Sequence, residues 1–282
     1  MILVFGKTGQ VATELRRHED VFALGREDVD LLDLQTCAEA IKHFSPKAVI
    51  NSVAYTSVDK AEEEELLATI INRDAPTVMA EACAELGIPL VHISTDYVFA
   101  GTGEVPWTPI DPALPQNAYG RSKLAGEIGI CQSGAVYCIL RTSWVVSAHR
   151  TNFVKTMLRL TEVKDIINVV SDQIGGPTPA KDIAAACVKI AEQLIENPSK
   201  LGTYHYSGMP DVSWAEFASE IFEFAGKSVK VNPILTVDFA TLAARPLNSR
   251  MDCSMTEKIF GIYRPNWREG LKVILKDLEF TQ

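Results

Sequence analysis

Residues 2–12 of this 282-residue chain read Ile-Leu-Val-Phe-Gly-Lys-Thr-Gly-Gln-Val-Ala, and this stretch decides the fold. Its apolar start predicts a buried strand over Ile2–Phe5, and the pattern that follows predicts a helix over residues 9–17. Between them, Gly6 and Gly9 make a turn without bulky side chains, which lets the backbone approach a pyrophosphate at the helix N-terminus. A glycine turn also occurs in α/β proteins that bind no nucleotide, so the surrounding pattern must decide. A P-loop is excluded because it needs a glycine at position 1, where Met stands.

Outward from this turn, short apolar strands alternate with helical patterns through the first half of the chain. Strands are predicted over Val21–Leu24 and residues 48–52, 90–94 and 136–142. Helices are predicted over residues 35–44, 59–86 (as one helix or two) and 118–131, with Asp33 or Thr36 capping the first of these. Strands that are apolar on both faces, with helices between them, indicate a parallel sheet covered on both sides. The sequence therefore predicts an α/β fold with a doubly wound parallel sheet of the Rossmann type.

The alternation weakens after about residue 150, where prolines and aromatic residues accumulate. This change predicts a smaller, mixed α/β C-terminal lobe that binds the substrate. We expect residues 1–150, with part of 163–200, to form the nucleotide-binding domain. Residues 200–282, with parts of 150–165, should form mainly the substrate lobe. Residues 101–115 contain two glycines and four prolines, which predicts a loop beside the site.

Composition and charge exclude several classes of protein. A formal net charge of -9 argues against a nucleic-acid-binding surface, which needs clustered Lys and Arg. No apolar run reaches membrane-spanning length, and the apolar start is too short for a signal peptide. The six cysteines include no C-x-x-C pair, and the five histidines lack metal-ligand spacing. We therefore expect a cytoplasmic protein with reduced cysteines and no metal site.

Tyr119 and Lys123 are the strongest candidates for catalysis. Among the seven tyrosines, Tyr119 alone has a lysine four residues on, and on a helix the two side chains share a face. A nearby ammonium favours phenolate, so Lys123 is expected to bring the pKa of the phenol down toward the working range. Thr95, at the predicted end of the fourth strand, offers a hydroxyl to a substrate carbonyl. A lone Tyr-x-x-x-Lys is more often a solvated helix pair, but the glycine turn and the strand end together favour a nicotinamide-dependent oxidoreductase.

The residue at the end of the second strand bears on the choice of cofactor. An acid there holds the adenosine ribose of NAD in many dinucleotide-binding proteins. Here the strand ends in Leu24-Gly25-Arg26, and Arg26 could pair with a 2′-phosphate. We therefore expect NADPH, with NADH as the alternative. A surface arginine neutralised by Glu27 is the competing interpretation.

Several longer strings resemble the extended short-chain dehydrogenases/reductases and, among these, the family of dTDP-4-dehydrorhamnose reductases. The resemblance runs nearly end to end, and STDYVF and RTSWV flanking YGRSKLAGE are its most specific parts. The matching strings are FGKTGQV (5–11), NSVAYTSVDKAE (51–62), STDYVF (94–99), YGRSKLAGE (119–127), RTSWV (141–145), NFVKTML (152–158), DQIGGPT (172–178) and ARPLNSR (244–250). The family's activity would be NAD(P)H-dependent reduction of the C4 ketone of dTDP-4-dehydro-L-rhamnose, a step in polysaccharide biosynthesis.

The resemblance implies roles for residues at the matching positions. The catalytic set would be Thr95, Tyr119 and Lys123, with Tyr119 as proton donor. The cofactor would contact Gly6, Gly9, Gln10, Val11, Arg26, Asp30, Leu31, Ala54, Tyr55, Thr56, Tyr119 and Lys123. The nucleotide sugar would contact Thr95, Asp96 and Trp144, although Trp144 could also be a core aromatic residue. In the C-terminal lobe, Arg245 and Arg250 could pair with the diphosphate of the sugar nucleotide, or could form surface salt bridges.

Two positions depart from the family, and two other functions stay open. Gly25 stands where some members carry an acid, which favours NADPH in this chain. Some relatives carry acids near Lys181 and Asp182 that, with one like Glu14, bridge a homodimer through a divalent metal. The lysine argues against Mg²⁺ here and leaves a homodimer as an open alternative. The same fold could serve another nucleotide-sugar reductase or an epimerase that works through a transient ketone. Other relatives are regulatory subunits that bind nucleotide without catalysis, but such a subunit has no need of the intact Thr95, Tyr119 and Lys123.

Overall fold

The computed structural model describes residues 1–280, and a parallel sheet forms its centre. The strands are β1 Ile2–Phe5, β2 Val21–Leu24, β3 Ala48–Asn51, β4 Leu90–Thr95, β5 Tyr137–Thr142, β6 Val145–Val146, β7 Ile166–Val170, β8 Ile174–Gly175, β9 Thr178–Pro179, β10 Gly202–His205, β11 Val212–Ser213, β12 Lys230–Ile234 and β13 Asn248–Ser249. In the central sheet the order is β10-β5-β4-β3-β1-β2, with every pair parallel. The strand order reverses between β1 and β3, which is where a doubly wound sheet binds its ligand.

Helices connect these strands and cover both faces of the sheet. They are α1 Gln10–Leu15, α2 Leu34–Phe44, α3 Val58–Ala61, α4 Glu65–Thr69, α5 Ala75–Leu86, α6 Ala118–Gln132, α7 Phe153–Leu160, α8 Ala180–Glu196, α9 Trp214–Phe224, α10 Ser254–Phe260 and α11 Trp267–Asp277. Asp33 caps α2 by accepting from the backbone N–H of Thr36, as the sequence predicts for one of its two candidate caps. The doubly wound α/β fold predicted from the sequence is confirmed.

Two apolar clusters hold the central sheet between its helices. On one face, α1 and α8 bury residues such as Leu15 and Ile190 against Ile2 and Ile50 of the sheet. On the other face, α2 and α5 pack against the alternate strand residues, which include Leu3 and Leu90. Because each strand is apolar on both faces, the sheet cannot be exposed on either side.

The helical region before β4 differs from the prediction of one or two helices over residues 59–86. It contains α3, α4, a π-helical turn over Ile70–Asp74, and α5. The π turn lies against α6, which approaches it closely because two positions of α6 lack a side chain. A Cβ on Gly126 would lie 2.0 Å from the carbonyl oxygen of Asn72, and one on Gly129 would lie 2.0 Å from Oγ1 of Thr77. The two glycines therefore set the distance between α6 and its neighbours.

A third apolar cluster lies outside the central sheet. It joins α7, α9 and α11 with β7 and β12, and Phe217 and Trp267 are its largest fully buried side chains. β10, within the range expected to belong mainly to the second lobe, lies instead at the edge of the central sheet beside β5. No helix in residues 1–280 combines the length and the apolar composition that crossing a membrane requires. The six cysteines are free thiols.

Candidate active site

A cleft of about 900 Å³ opens where the central strands end. Its walls come from the segments that follow β1, β2, β3, β4 and β5 and from the start of α6. These bring together residues that lie far apart in the sequence. The predicted site residues that line the cleft are Gly6, Gly9, Gln10, Val11, Arg26, Asp30, Leu31, Ala54, Tyr55, Thr56, Thr95, Asp96, Tyr119, Lys123 and Trp144.

The glycine turn after β1 requires glycine at its first position. Gly6 has φ +116°, and a Cβ there would lie 2.5 Å from Oγ of Ser52. That hydroxyl donates to the carbonyl of Phe5 at 2.8 Å and so ties β3 to the turn. α1 begins with no side-chain cap on its first N–H groups. Because no side chain of residues 1–280 occupies these N–H groups, the turn leaves them free to bind the pyrophosphate of a dinucleotide.

Two cations, Lys7 and Arg26, line the cleft beside the glycine turn and the end of β2, and both are paired with carboxylates. Nζ of Lys7 lies 2.6 Å from Glu27, and Arg26 lies 3.3 Å from Asp30. The hydrogen bond to Glu27 raises the pKa of Lys7. The four side chains are between 34% and 80% exposed, so these pairs are weak and can exchange for a phosphate. Lys7 was not among the predicted cofactor residues, although it stands in the glycine turn.

Tyr119 lies at the inner end of the cleft, on the first turn of α6. Asn117 caps this helix by accepting from the N–H of Gly120 at 2.8 Å. Burial raises the pKa of Tyr119 to about 12, against a hydrogen bond with Thr95 that lowers it, while the charge of Asp96 raises it further. The expectation that Lys123 would lower this pKa is wrong for the structure as it stands. At neutral pH the phenol is a protonated acid.

Lys123 is 1% exposed, and its nitrogen faces β4. Nζ donates to the carbonyl of Ile93 at 2.8 Å and lies 2.9 Å from Nε2 of His92. Burial disfavours the ammonium and lowers the pKa of Lys123 to about 8, although the charge of Glu127 opposes this. The lysine is thus anchored beneath the cleft, one helical turn from Tyr119. His92 was not predicted, because its position inside an apolar strand gave no sign of this contact.

A buried ion pair fixes α6 to the sheet beneath these groups. Glu127 accepts from Nη2 of Arg141 on β5 at 2.6 Å and from Oγ of Ser94 on β4 at 2.5 Å. Both charged side chains are less than 10% exposed. Such a pair contributes little net free energy, but losing one partner strands the other charge in the interior.

Asp96 is buried beside the catalytic candidates. It accepts from Oγ1 of Thr95 at 3.1 Å and from Oγ of Ser249 on β13 at 2.5 Å. Burial raises the pKa of Asp96 to about 6, although both hydrogen bonds lower it. Ser249 thereby connects the C-terminal lobe to the end of β4. Sequence reasoning missed Ser249 itself, though it lies inside the matching string at 244–250.

Trp144 lines the cleft and is not a core residue. Its φ of +49° is unusual for a side chain of this size. Its ring stacks on that of Trp214, with centroids 3.5 Å apart and planes 9° apart. Trp214 in turn contacts Phe153, at 4.3 Å between centroids. The stack therefore joins the cleft to the apolar core of the second lobe.

The structure does not bring Arg245 and Arg250 to the lining of the cleft. Nη2 of Arg245 lies 2.5 Å from Asp59, and its Nη1 is buried without a hydrogen bond. Nη1 of Arg250 donates to Oδ1 of Asn248 at 3.1 Å. Asp59 also accepts from the backbone N–H of Ala243, so the segment around Arg245 is held against α3.

Glu14, which the family resemblance associates with a bridging metal, is paired with side chains of the same chain. His149 lies 2.7 Å from its Oε1, and Arg17 lies 3.1 Å from its Oε2. The charge of Glu14 contributes to a raised pKa of Asp182, after burial as the main cause. In the described part of the chain, residues 1–280, no group of three or more His, Cys, Asp or Glu side chains is placed to hold a metal ion.

Comparison with known proteins gives one consistent family. Residues 1–280 match the family described as the RmlD substrate binding domain. A dTDP-4-dehydrorhamnose reductase from Sinorhizobium fredii (strain NBRC 101917 / NGR234) is 42% identical over 281 residues, covering 96% of this chain and 95% of the relative. The crystal structure of a dTDP-4-dehydrorhamnose reductase from Clostridium acetobutylicum ATCC 824 is 36% identical, with a TM-score of 0.91 over 99% of both chains. That of dTDP-4-dehydrorhamnose reductase from Bacillus anthracis str. Ames, in complex with NADP, is 35% identical, with a TM-score of 0.90 over 98% of both chains. The chain described here therefore belongs to the RmlD substrate binding domain family.

Proposed function

We propose that this chain is a dTDP-4-dehydrorhamnose reductase, which uses NADPH to reduce the C4 ketone of dTDP-4-dehydro-L-rhamnose. The observation that carries the proposal is the meeting of Thr95, Tyr119 and Lys123 at the inner end of one cleft that begins at the glycine turn. Relatives at 36–42% identity over nearly the full chain carry this name, and one solved relative holds NADP. Bound NADPH supplies the hydride that reduces the ketone.

The side chains of the chain itself supply the proton and stabilise the developing charge. Tyr119, protonated at neutral pH, donates its phenolic proton to the oxygen of the reduced carbonyl. The hydroxyl of Thr95, which donates to Asp96 in the free chain, turns to donate a hydrogen bond to the same oxygen and stabilises the negative charge that develops there. Lys123 holds the cofactor ribose and, in its ammonium form, compensates the phenolate that Tyr119 becomes. A positioned acid of this kind is worth a factor of about 10² to 10⁴ in rate.

Different segments of the cleft hold the pyrophosphate, the adenine and the 2′-phosphate of the cofactor. The glycine turn with Gly9, Gln10 and Val11 holds the pyrophosphate, and the segment with Ala54, Tyr55 and Thr56 lies along the cofactor backbone. Asp30 and Leu31 lie beside the adenine. Lys7 and Arg26 receive the 2′-phosphate, which replaces the carboxylates of Glu27 and Asp30 as their partner.

The substrate lies between the central sheet and the second lobe, which contains α7, α9, α11, β7, β12 and β13 but not β10. Trp144 and Asp96 face the sugar, and Ser249 holds Asp96 from the side of the lobe. Arg245 and Arg250 remain our candidates for the diphosphate. Arg245 must then exchange Asp59 for phosphate, which is favourable because its second nitrogen has no hydrogen bond in the free protein.

The test is an assay with dTDP-4-dehydro-L-rhamnose that follows absorbance of the reduced nicotinamide. We expect turnover by the wild type, and a loss of about 10² or more in kcat for Tyr119→Phe, with the affinity for NADPH nearly unchanged. Tyr263→Phe, at an exposed tyrosine, is the matched control and should behave as the wild type. Turnover of Tyr119→Phe within a few-fold of the wild type removes Tyr119 from its role. Isomerised sugar without net consumption of cofactor indicates an epimerase, and nucleotide binding without turnover indicates a regulatory subunit.

A further inference from the structure

A buried chain of hydrogen bonds continues behind Lys123, away from the cleft. Nζ of Lys123 lies 2.9 Å from Nε2 of His92, and Nδ1 of the same ring lies 3.1 Å from Nδ2 of Asn51. His92, in the middle of β4, and Asn51, at the end of β3, are both fully buried. Polar groups buried in this way find partners within the chain, so the direction of each hydrogen bond can be worked out.

The amide of Asn51 fixes that direction. Its Oδ1 accepts from the backbone N–H of Val53 at 3.0 Å, so the atom that faces His92 is the amide nitrogen, which can only donate. Nδ1 of His92 is therefore the acceptor. A neutral imidazole has one N–H, which must then be on Nε2 and point at Lys123. An amine nitrogen can accept that hydrogen bond, whereas an ammonium has no lone pair with which to do so.

We propose that Asn51 and His92 are positioning residues for Lys123, which hold its nitrogen against β4 and favour its uncharged amine in the free enzyme. If Lys123 takes up a proton, Nε2 of His92 must become the acceptor. The ring proton then moves to Nδ1, where it faces the hydrogens of the Asn51 amide. Forming the ammonium thus breaks the hydrogen bond between Asn51 and His92.

The other charged and titratable groups around Lys123 do not reverse its preference for the uncharged amine. Glu127, on the same helix, favours the ammonium, but Arg141 on β5 already pairs with that carboxylate at 2.6 Å. Asp96 after β4 is bonded to Thr95 and Ser249, and Tyr119 carries a neutral phenol. Burial acts in the same direction as His92 on the pKa of Lys123, and it lowers the pKa of His92 well below its usual range.

The consequence for catalysis rests on the proposed function. When Tyr119 gives up its proton, a buried phenolate remains, and the ammonium of Lys123 is the group that compensates it. Asn51 and His92 therefore help to set the pH above which that compensation is lost. Weakening their preference should move the high-pH fall of kcat/KM to higher pH.

The first measurement is the tautomer of His92 in the full-length protein without cofactor, by ¹⁵N NMR of labelled histidine at pH 9. We expect a proton on Nε2 and none on Nδ1. His205 is an internal reference of the opposite kind, because its Nδ1 faces the carbonyl of Trp107 at 3.0 Å and must carry the proton. A His205→Asn variant assigns its signals. A His92 ring protonated on Nδ1 overturns the proposal.

The second measurement uses Asn51→Asp, which keeps the acceptor for Val53 and replaces the amide nitrogen with a second acceptor. The ring of His92 should then turn its proton to Nδ1, and the midpoint of the high-pH fall of kcat/KM should rise by one pH unit or more. An unchanged tautomer in the folded variant contradicts the proposal. If the variant does not fold, the wild-type spectrum alone decides.

Asn72→Asp is the matched control, because Asn72 is a buried amide that bonds to Tyr55 and Ser122 and not to His92. It should leave the tautomer of His92 as it is in the wild type, and a change of tautomer in this control would count against the proposal. The NMR measurement needs no substrate. An Nε2 proton on His92 in a protein that reduces no dTDP-keto sugar would support the arrangement around Lys123 and reject the proposed function.

Discussion

At the scale of single residues, the environment of Tyr119 suits an acid rather than a base. Burial is the largest influence on the pKa of Tyr119, which it raises to about 12, so the phenol stays protonated at neutral pH. In the reduction, hydride addition turns the ketone into an alkoxide, which is a stronger base than phenolate, and the protonated donor converts that alkoxide into the alcohol. A high pKa therefore leaves the group in the form that reduction needs. The sequence predicted that Tyr119 and Lys123 share one face of a helix but not that the pKa of the phenol is raised, because burial cannot be read from an i, i+4 spacing.

Lys7 and Arg26, which the proposed function places at the 2′-phosphate, give a prediction on the choice between NADPH and NADH. Removing either one, in Arg26→Ala or Lys7→Ala, should reduce the ratio of kcat/KM with NADPH to that with NADH by about fivefold, since an exposed ion pair is worth up to about 1 kcal/mol. Steady-state kinetics with both cofactors measures this ratio. Arg17→Ala, which removes a cation paired with Glu14, is the control. An unchanged ratio in both variants would exclude these side chains from contact with the 2′-phosphate.

At the same scale, the parts of the site that sequence could predict are those with a local signal. Gly6 and Gly9 stand in one turn, and Tyr119 and Lys123 stand one helical turn apart. His92 and Asn51 meet only because β3 and β4 are neighbours, in a register that places Asn51 beside His92. Ser249 reaches Asp96 across 153 positions of the sequence. Such contacts depend on strand order, which a single sequence does not specify.

At the scale of elements, α6 is held in place by charges as well as by apolar contacts. Its Glu127 meets Arg141 in the interior. Glu127→Gln should lower the free energy of unfolding by about 3–5 kcal/mol, because it leaves the guanidinium buried and uncompensated. Urea denaturation measures the loss.

An exposed ion pair between α6 and α4 controls this prediction. Glu65 pairs with Arg121 at 2.9 Å, and both side chains are nearly half exposed. Glu65→Gln should cost less than about 1 kcal/mol. Equal losses in the two variants would mean that burial does not strengthen the dependence on the ion pair at Glu127.

The strands and helices before residue 145 were predicted from the sequence to within one or two residues, apart from residues 58–86. There the apolar spacing is that of a long helix, but a π turn at Ile70–Asp74 and a break after Ala61 interrupt it. The π turn packs against α6, and such tertiary contacts leave no period in the sequence. The strands β6, β8, β9, β11 and β13 span two residues each, which is too short for alternation to appear.

At the scale of the whole molecule, two buried histidines make stability depend on pH. Burial lowers the pKa of His205 to about 3 and that of His92 well below its usual range. The unfolded chain, with an ordinary histidine pKa of about 6.5, binds protons that the folded chain does not. The stability from each neutral ring is therefore complete above about pH 6.5 and falls as the pH drops, by up to about 1.4 kcal/mol per pH unit.

His205→Asn tests this dependence, because its amide can still donate to the carbonyl of Trp107. Between pH 6.5 and pH 5 the variant should lose about 2 kcal/mol less stability than the wild type. Urea denaturation at the two pH values gives the comparison, and His43→Asn, at an exposed histidine, is the control. If the wild type and His205→Asn lose the same free energy of unfolding, the imidazole of His205 takes up a proton as readily in the folded protein as in the unfolded chain.

The bare face of α6 has a consequence for how the active site can change over evolution. Gly126 and Gly129 let α6 pack against Asn72 and Thr77, and the same helix carries Tyr119 and Lys123 nearer its N-terminus. A methyl group added at Gly126 or Gly129 would push α6 away from Asn72 and Thr77 and so shift Tyr119 relative to the rest of the cleft. The absence of side chains at Gly126 and Gly129 thus preserves the alignment of donor and ketone, although neither glycine lines the cleft.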